Sequence, residues 1–175
     1  EIASEAGDPT ALVACAASTD FYGGTAETEW DKIERQIQIH VGSVYSLTKS
    51  MIPAMEQNGS GSVVLLGTSY LGGTPPLNLI PYLTAKHALQ GLMKSMAVEL
   101  GPKNIRVNMV SPSMTETELL SRVPQRQVKV AAQQNPMRRL GLPDDIAKAI
   151  TFLCSSDASY VNGHNLIVSG GSAML

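Results

Sequence analysis

Four short apolar runs of strand length are separated by long segments with helical periodicity. The runs lie near 11–16, 62–68, 105–110 and 164–169, and glycine or proline marks the turns around them. Between them, apolar residues recur every three or four positions over about 26–55, 81–100 and 143–155. Strands that alternate with helices pair in parallel, because each helix returns the chain across the sheet. The sequence therefore predicts an α/β fold with one parallel sheet, in a single domain over 1–175.

The composition excludes several classes of protein. A net charge of −2 gives no basic surface for nucleic acid or an anionic membrane. Uninterrupted apolar stretches such as Val63–Leu66 are too short to span a bilayer. The two cysteines, Cys15 and Cys154, form no CxxC motif and no Cys/His cluster, so we expect neither a disulfide scaffold nor a metal site. We expect a cytoplasmic protein.

A tyrosine and a lysine lie four residues apart at the start of the second helical segment. This spacing places Tyr82 and Lys86 on the same face of a helix. A phenol with a pKa of about 10 is a poor acid–base group at neutral pH. A nearby ammonium group favours the phenolate and can lower that pKa by about one unit or more. The pair can therefore exchange a proton with a substrate, although such pairs also arise by chance on helix surfaces.

A serine follows the second strand at the edge where ligands gather in parallel sheets. Ser69 lies just beyond the run at 62–68, and Gly72-Gly73 follows it. Ligands of open α/β sheets bind at the carboxyl ends of the strands. A hydroxyl there can donate a hydrogen bond to a carbonyl that the Tyr82 phenol protonates. Ser69, Tyr82 and Lys86 therefore predict an active site at this edge.

The order of these and later motifs resembles the short-chain dehydrogenase/reductase family over nearly the whole chain. The motifs are Ser69 and Tyr82 with 12 residues between them, Lys86, the Asn108-to-Ser113 element, Pro136–Gly141, Pro143–Ala147 and Asn162–Gly171. Within the family, the pattern is similar to that of 3-oxoacyl-[acyl-carrier-protein] reductases. The resemblance implies a Rossmann-like, doubly wound parallel sheet. It also implies hydride transfer between a nicotinamide, of NADP or NAD, and a carbonyl or secondary-alcohol substrate.

The resemblance also implies residue roles. Ser69 would polarise the carbonyl, Tyr82 would be the acid–base, and Lys86 would lower the Tyr82 pKa and bind the nicotinamide ribose. The implied cofactor-binding residues are Tyr82, Lys86, Pro112, Ser113, Thr115 and Thr117, with no metal. Residues from Ser113 to about Leu140 would form a lid over the substrate. The implied partners are a small carbonyl, alcohol or acyl-thioester substrate and a second copy of the chain in a homo-oligomer.

The chain departs from the family pattern at its front. It contains no TGxxxGxG turn, so we expect only the later part of the fold, without the first βαβ portion that binds the dinucleotide. Roughly 75 residues of a single Rossmann-type domain would be absent, and an upstream segment would complete it. Ala14-Cys15-Ala16-Ala17 also occupies the place of the family's Asn-Asn-Ala-Gly. Near the other end, Ser113 replaces a glycine and Ser169 replaces an aspartate.

A histidine stands where the family usually has its fourth catalytic residue, an asparagine. His40 lies within the first long helical segment. One reading is a hydrogen-bonded core histidine, which is a common role for semi-buried histidine. The other is a substitute link in the proton path to Lys86.

Two alternatives to a reductase remain. A non-catalytic relative could use the sheet and helices as a dimerisation or interaction module, which the absent glycine-rich turn favours and the intact Ser69–Tyr82–Lys86 set opposes. A Ser–Lys hydrolase would need Ser69 as its nucleophile, yet no GxSxG elbow surrounds this serine.

Overall fold

The computed structural model describes residues 9–18 and 20–174, which form a four-stranded sheet. The strands are β1 Ala11–Ala14, β2 Gly61–Leu66, β3 Ile105–Pro112 and β4 Asn165–Val168, arranged in the order β1-β2-β3-β4. Every neighbouring pair is parallel. This confirms the predicted parallel sheet, although β1 ends two residues earlier than its apolar run.

Helices connect the strands, and a π-helical segment interrupts the first connection. The helices are α1 Trp30–Ile37, α2 Ser43–Gln57, α3 Ile80–Leu100, α4 Gln125–Gln134 and α5 Pro143–Cys154. The prediction of one helix over 26–55 is therefore wrong at its start and in its continuity. The chain before Trp30 is extended, with Glu29 at φ −73° and ψ 151°. Gln38–Gly42 then forms the π-helical segment between α1 and α2.

The segment expected to form the lid contains regular structure. Helix α4 lies within it, although the low apolar content of this part of the sequence predicted no helix. None of the helices in the described ranges is both long and apolar enough to cross a membrane.

The sheet carries helices on both faces, as in a doubly wound fold. Alternate residues of β2 point to opposite sides: Val63 and Leu65 pack in the cluster with α2 and α3, whereas Val64 packs with α5. The first cluster contains Val44, Met55, Leu89, Met93, Met96, Leu100, Ile105, Val107 and Met109. The second contains Val110, Ile146, Leu153 and Ala158. These continuous apolar strands are typical of a parallel sheet buried on both faces.

The sheet brings the ends of β2 and β3 together. Leu66 pairs with Val110, and the Gly67 amide donates to the Val110 carbonyl at 2.8 Å. A Cβ on Gly67 would lie 2.3 Å from the Ser111 hydroxyl, so any larger residue would force the neighbouring side chains to shift. The residues after Gly67 and those after Ser111 therefore leave the sheet side by side.

A second contact brings the chain after β1 to the start of α3. The Gly23 amide donates to the Asn78 carbonyl at 2.7 Å, and the Ile80 amide donates to the Gly23 carbonyl at 3.3 Å. Because Tyr82 lies in the first turn of α3, this contact places the residues before Gly23 beside Tyr82.

Candidate active site

Lys86 is buried beneath the carboxyl end of β2. Its side chain belongs to a residue only 4% exposed, and its Nζ donates to the Leu66 carbonyl at 2.6 Å. The same Nζ lies 5.6 Å from the centroid of the Tyr82 ring, one helical turn earlier. Burial lowers the pKa of Lys86 to about 8, and nearby Cys15 opposes this shift. The lysine is therefore close to its titration range at neutral pH.

The pKa of Tyr82 moves in the opposite direction from the one predicted. Burial raises it above the ordinary tyrosine value, a side-chain hydrogen bond with Thr68 partly offsets the rise, and nearby Tyr70 adds to it. Burial disfavours the phenolate because it removes the negative charge from water, and this is the largest cause of the rise in the Tyr82 pKa. In this structure Tyr82 is a protonated phenol that can donate.

Ser69 and Thr68 both lie at the end of β2. Ser69 is 5% exposed and begins the 3₁₀ turn Ser69–Gly72, which Thr68 precedes. The Thr68 hydroxyl accepts a hydrogen bond from the Tyr70 amide at 3.5 Å. The sequence had singled out Ser69 alone, yet its neighbour Thr68 makes the hydrogen bond to Tyr82.

His40 lies in the π-helical segment and faces the same tyrosine. Its ring stands edge-on to Tyr82 with centroids 5.9 Å apart, and the residue is 2% exposed. Burial and the Lys86 charge lower the His40 pKa to about 4, so the imidazole is neutral at pH 7. Within residues 9–18 and 20–174, its Nε2 has no hydrogen-bond partner, and neither does the buried Oε1 of Gln36, one turn earlier. His40 is therefore a core residue with one unpartnered ring nitrogen, and its role in the site stays a prediction.

The expected cofactor-binding residues follow β3 at the same edge. Pro112 ends the strand, and the hydroxyls of the next residues donate to main-chain carbonyls. Ser113 donates to Ser169 at 3.3 Å, Thr115 donates to Ser113 at 2.9 Å, and exposed Thr117 donates to Thr115 at 3.5 Å. Of these four, only Ser113 shares a cavity with Ser69.

A cavity of about 450 Å³ opens beside Ser69. Its walls come from the turn after β2, the loop after β3, the end of α4 and the chain after β4. The lining residues are Ser69, Tyr70, Gly72, Gly73, Thr74, Ser113, Met114, Ala131, Gln134, Asn135, Leu140, Ser172, Ala173 and Met174. Most of these walls lie far from Ser69 in sequence, so only the fold identifies them.

Aromatic side chains from separate segments lie near Tyr82. Phe21 packs against Tyr82 with centroids 5.7 Å apart and against Tyr22 at 4.5 Å. Burial and Tyr22 raise the pKa of Tyr70, which lines the cavity. Sequence spacing does not predict this group, because its members come from three separate segments.

Comparisons with known proteins agree with this geometry. A family model described as Enoyl-(Acyl carrier protein) reductase matches residues 1–173. Dehydrogenase/reductase SDR family member 4 of Mus musculus is 41% identical over 166 residues, which cover 92% of this chain but 58% of that protein. The chain thus spans less than two thirds of this relative.

Solved structures give the same result. A 7 alpha-hydroxysteroid dehydrogenase complexed with NADH and 7-oxo glycochenodeoxycholic acid is 33% identical, with a TM-score of 0.90, covering 99% of this chain and 67% of that one. A 3-ketoacyl-(acyl-carrier-protein) reductase from Brucella melitensis complexed with NADH is 31% identical, with a TM-score of 0.87, covering 98% and 70%. The parallel sheet, the buried Tyr82–Lys86 pair and these matches lead to one conclusion: the chain belongs to the short-chain dehydrogenase/reductase family.

Proposed function

We propose that the chain is the catalytic portion of a nicotinamide-dependent oxidoreductase that interconverts a carbonyl compound and a secondary alcohol. The observation that carries this proposal is the buried cluster of Tyr82, Lys86 and Thr68 beside Ser69. Tyr82 carries a transferable proton and lies beside the buried Lys86 ammonium, whose Nζ is 5.6 Å from the centroid of the ring, and this arrangement supports proton transfer to a carbonyl oxygen.

In the direction of reduction, Lys86 and the loop after Pro112 would hold the nicotinamide, which when bound would supply the hydride for the carbonyl carbon. Tyr82 gives its hydroxyl proton to the carbonyl oxygen as the new C–H bond forms. Ser69 donates a hydrogen bond to the same oxygen and holds it against the phenol. The charge of Lys86, whose Nζ lies 5.6 Å from the centroid of the Tyr82 ring, would stabilise the resulting phenolate. In oxidation, each step runs in reverse.

The residues fit the nicotinamide half of NAD or NADP. An ammonium has three donors, and Leu66 takes one from Lys86, so two remain for ribose hydroxyls. Tyr82 lies beside the Lys86 ammonium. The hydroxyls of Ser113, Thr115 and Thr117 donate to main-chain carbonyls and keep lone pairs that can accept from a carboxamide. We assign these residues and Pro112 to that half of the cofactor. The NADH in two of the similar structures supports the assignment.

We assign His40 a positioning role in proton transfer. A buried, neutral imidazole with an unpartnered Nε2 has room for one further hydrogen bond, and a water molecule could supply it. The π-helical segment that carries His40 supports a functional role, because such interruptions are frequent at functional sites.

The proposed partners are a small carbonyl, alcohol or acyl-thioester substrate, a second copy of the chain, and an upstream segment that completes the dinucleotide site. No basic surface for nucleic acid is expected from a net charge of −2. Both cysteines are free thiols, which fits a reducing compartment, and we propose the cytoplasm.

The decisive experiment is the Tyr82→Phe substitution in a form of the protein that binds a dinucleotide. It deletes the transferable proton and keeps the ring that packs against Phe21. We expect carbonyl reduction, followed by oxidation of NADH or NADPH, to fall by about 10²- to 10⁴-fold. The control is Tyr45→Phe on the exposed face of α2, which should retain activity. Undiminished turnover in the Tyr82 variant would contradict the proposed acid–base, and a wild type that binds no dinucleotide would favour the interaction module.

A further inference from the structure

We propose that Thr68 is a positioning residue that acts through Tyr82: its hydroxyl donates to the phenolate that forms when Tyr82 gives up its proton. This inference rests on the proposed function, because it adds a residue to the same site. Two neighbouring hydroxyls then have separate roles, Thr68 towards the acid–base and Ser69 towards the carbonyl oxygen.

The fold fixes the position of the Thr68 side chain. Thr68 follows Gly67, whose amide donates to the Val110 carbonyl at 2.8 Å, and the residue is only 5% exposed. Its Oγ1 accepts a long hydrogen bond from the Tyr70 amide at 3.5 Å. That contact uses one of the two lone pairs of the oxygen and leaves the O–H free to donate. The same side chain forms the hydrogen bond with Tyr82.

The direction of the bond between Thr68 and Tyr82 follows from counting protons. A phenol has one hydrogen, and during reduction this hydrogen must point at the substrate oxygen. Thr68 must then donate and the phenol oxygen must accept. The hydrogen bond lowers the pKa of Tyr82, which is the effect expected of a donor that stabilises the phenolate.

Burial makes a direct donor to this phenolate important. Burial raises the pKa of Tyr82, because the phenolate is cut off from water. The Lys86 ammonium donates to the Leu66 carbonyl, so its charge acts on the phenolate through space. A hydrogen bond from the buried Thr68 hydroxyl adds a contact that strengthens as the negative charge develops.

Thr68 and Ser69 face different partners because the chain is extended at Thr68, with φ −153° and ψ 146°. Successive side chains of an extended chain point to different sides. Ser69 lines the cavity of about 450 Å³, and among the described residues Thr68 is not part of that lining. The substrate therefore meets Ser69, whereas Thr68 reaches the reaction through Tyr82.

Other ionisable side chains near Tyr82 also affect a pH profile. They are Lys86, His40, Tyr70, Tyr22 and Cys15. Burial is the largest cause of the pKa shifts of Lys86, His40 and Tyr70, and nearby charge is the second. Thr68 is a direct partner of Tyr82 and not a cause of these three shifts. Loss of its hydroxyl should therefore act on the pKa of Tyr82.

The first test is the Thr68→Val substitution in a form of the protein that binds a dinucleotide. Oxidation of cyclohexanol needs the phenolate, so kcat/KM should rise with pH. We expect Thr68→Val to lower kcat/KM at pH 7 by about 10-fold or more and to move the rise to higher pH, because a donor to a charged group is lost. Thr68→Ser keeps the hydroxyl and should keep the wild-type profile.

The matched control is Thr48→Val on α2. Thr48 is 1% exposed, and its hydroxyl has no hydrogen-bond partner within residues 9–18 and 20–174. The same chemical change there should leave the pH profile unaltered. A purely structural role of Thr68 would lower the activity of Thr68→Val equally at every pH, and that result would overturn the proposal.

The second test does not depend on turnover. All tyrosines are replaced by 3-fluorotyrosine, whose phenol is more acidic, and each titration is followed by fluorine NMR. The Tyr82→Phe variant identifies the Tyr82 signal by its loss. We expect the Tyr82 midpoint to move to higher pH in Thr68→Val and to stay in place in Thr68→Ser. If Thr68→Val does not fold, Thr68→Ala takes its place. An unchanged Tyr82 midpoint in a folded variant without the hydroxyl would overturn the proposal.

The two tests separate this inference from the proposed function. If the Tyr82 midpoint moves but the wild type oxidises no alcohol and reduces no ketone, the role of Thr68 stands and the oxidoreductase proposal fails. If the wild type is active and Thr68→Val changes neither the midpoint nor the pH profile, the oxidoreductase proposal stands and the role of Thr68 fails.

Discussion

Around Tyr82, burial acts on each ionisable side chain by disfavouring its charged form. It lowers the pKa of Lys86 to about 8 and that of His40 to about 4, and it raises that of Tyr82. At neutral pH the site therefore contains a neutral imidazole, a protonated phenol and an ammonium close to titration. The sequence spacing predicted only the attraction between Tyr82 and Lys86, because burial depends on the tertiary packing of residues such as Phe21.

His40 gives a prediction for stability. Its pKa is about 4 in the folded chain and about 6.5 when unfolded, so between these values the unfolded chain binds the extra proton. The free energy of unfolding should therefore fall as the pH is lowered from 7 towards 4. Urea unfolding at pH 7 and pH 5 measures this loss. In His40→Asn the loss should be smaller, whereas it should persist in His87→Asn, which replaces an exposed histidine of α3. A wild-type pH dependence equal to that of the His40 variant would contradict the prediction.

At the scale of elements, the site depends on how closely the ends of β2 and β3 approach. Gly67→Ala should destabilise the fold by about 1–3 kcal/mol, because the new methyl group meets the Met109 side chain and the Ser111 hydroxyl in a packed interior. It should also lower activity, since Gly67 leads directly into Thr68 and Ser69. The matched control for stability is Gly73→Ala, where a Cβ would meet no atom within 4 Å. Denaturant unfolding of the two variants gives the comparison, and equal midpoints would refute the packing argument.

The strands and helices differ in how far the sequence could predict them. Apolar runs such as Ser62–Leu66 predicted the strands, because local apolar patterns reflect burial. The helical segments between the runs predicted parallel pairing, because each helix returns the chain across the sheet. The π-helical segment at Gln38–Gly42 was not predictable, since one extra residue in a turn barely alters a three-to-four residue spacing. Helix α4 was missed because no residue of its sequence is buried. The aromatic group around Tyr82 was missed because tertiary contacts alone assemble it.

At the scale of the whole molecule, apolar side chains remain exposed on the helices of one sheet face. Tyr45 and Leu47 of α2 are 51% and 50% exposed, and Val98 of α3 is 77% exposed. Grouped exposed apolar residues mark interaction surfaces, and two-fold symmetry is the commonest form of self-association. We expect a homo-oligomer that pairs through α2 and α3. In sedimentation, the apparent mass should exceed that of one chain, and Leu47→Glu with Val98→Glu should reduce it. A monomer whose mass is independent of concentration would contradict this expectation.

The last prediction separates an enzyme from an interaction module. In this fold, backbone amides of a glycine-rich turn and the following helix start bind the pyrophosphate. These 175 residues contain no TGxxxGxG turn, and they cover 58% of the mouse relative. The contacts proposed for Lys86 and the loop after Pro112 involve only the nicotinamide half of a dinucleotide. The edge of β1 that faces away from β2 also has no strand beside it in the described sheet, and Val13 of this strand is 41% exposed.

We therefore expect residues 1–175 alone to bind neither NADH nor NADPH at micromolar concentration and to reduce no ketone. Adding a segment that carries the glycine-rich turn, in the same chain or as a second chain, should restore both properties. Fluorescence titration of each dinucleotide against the two forms measures the difference. Tight binding to residues 1–175 alone would refute the account, and no binding to the completed form would favour a non-catalytic module.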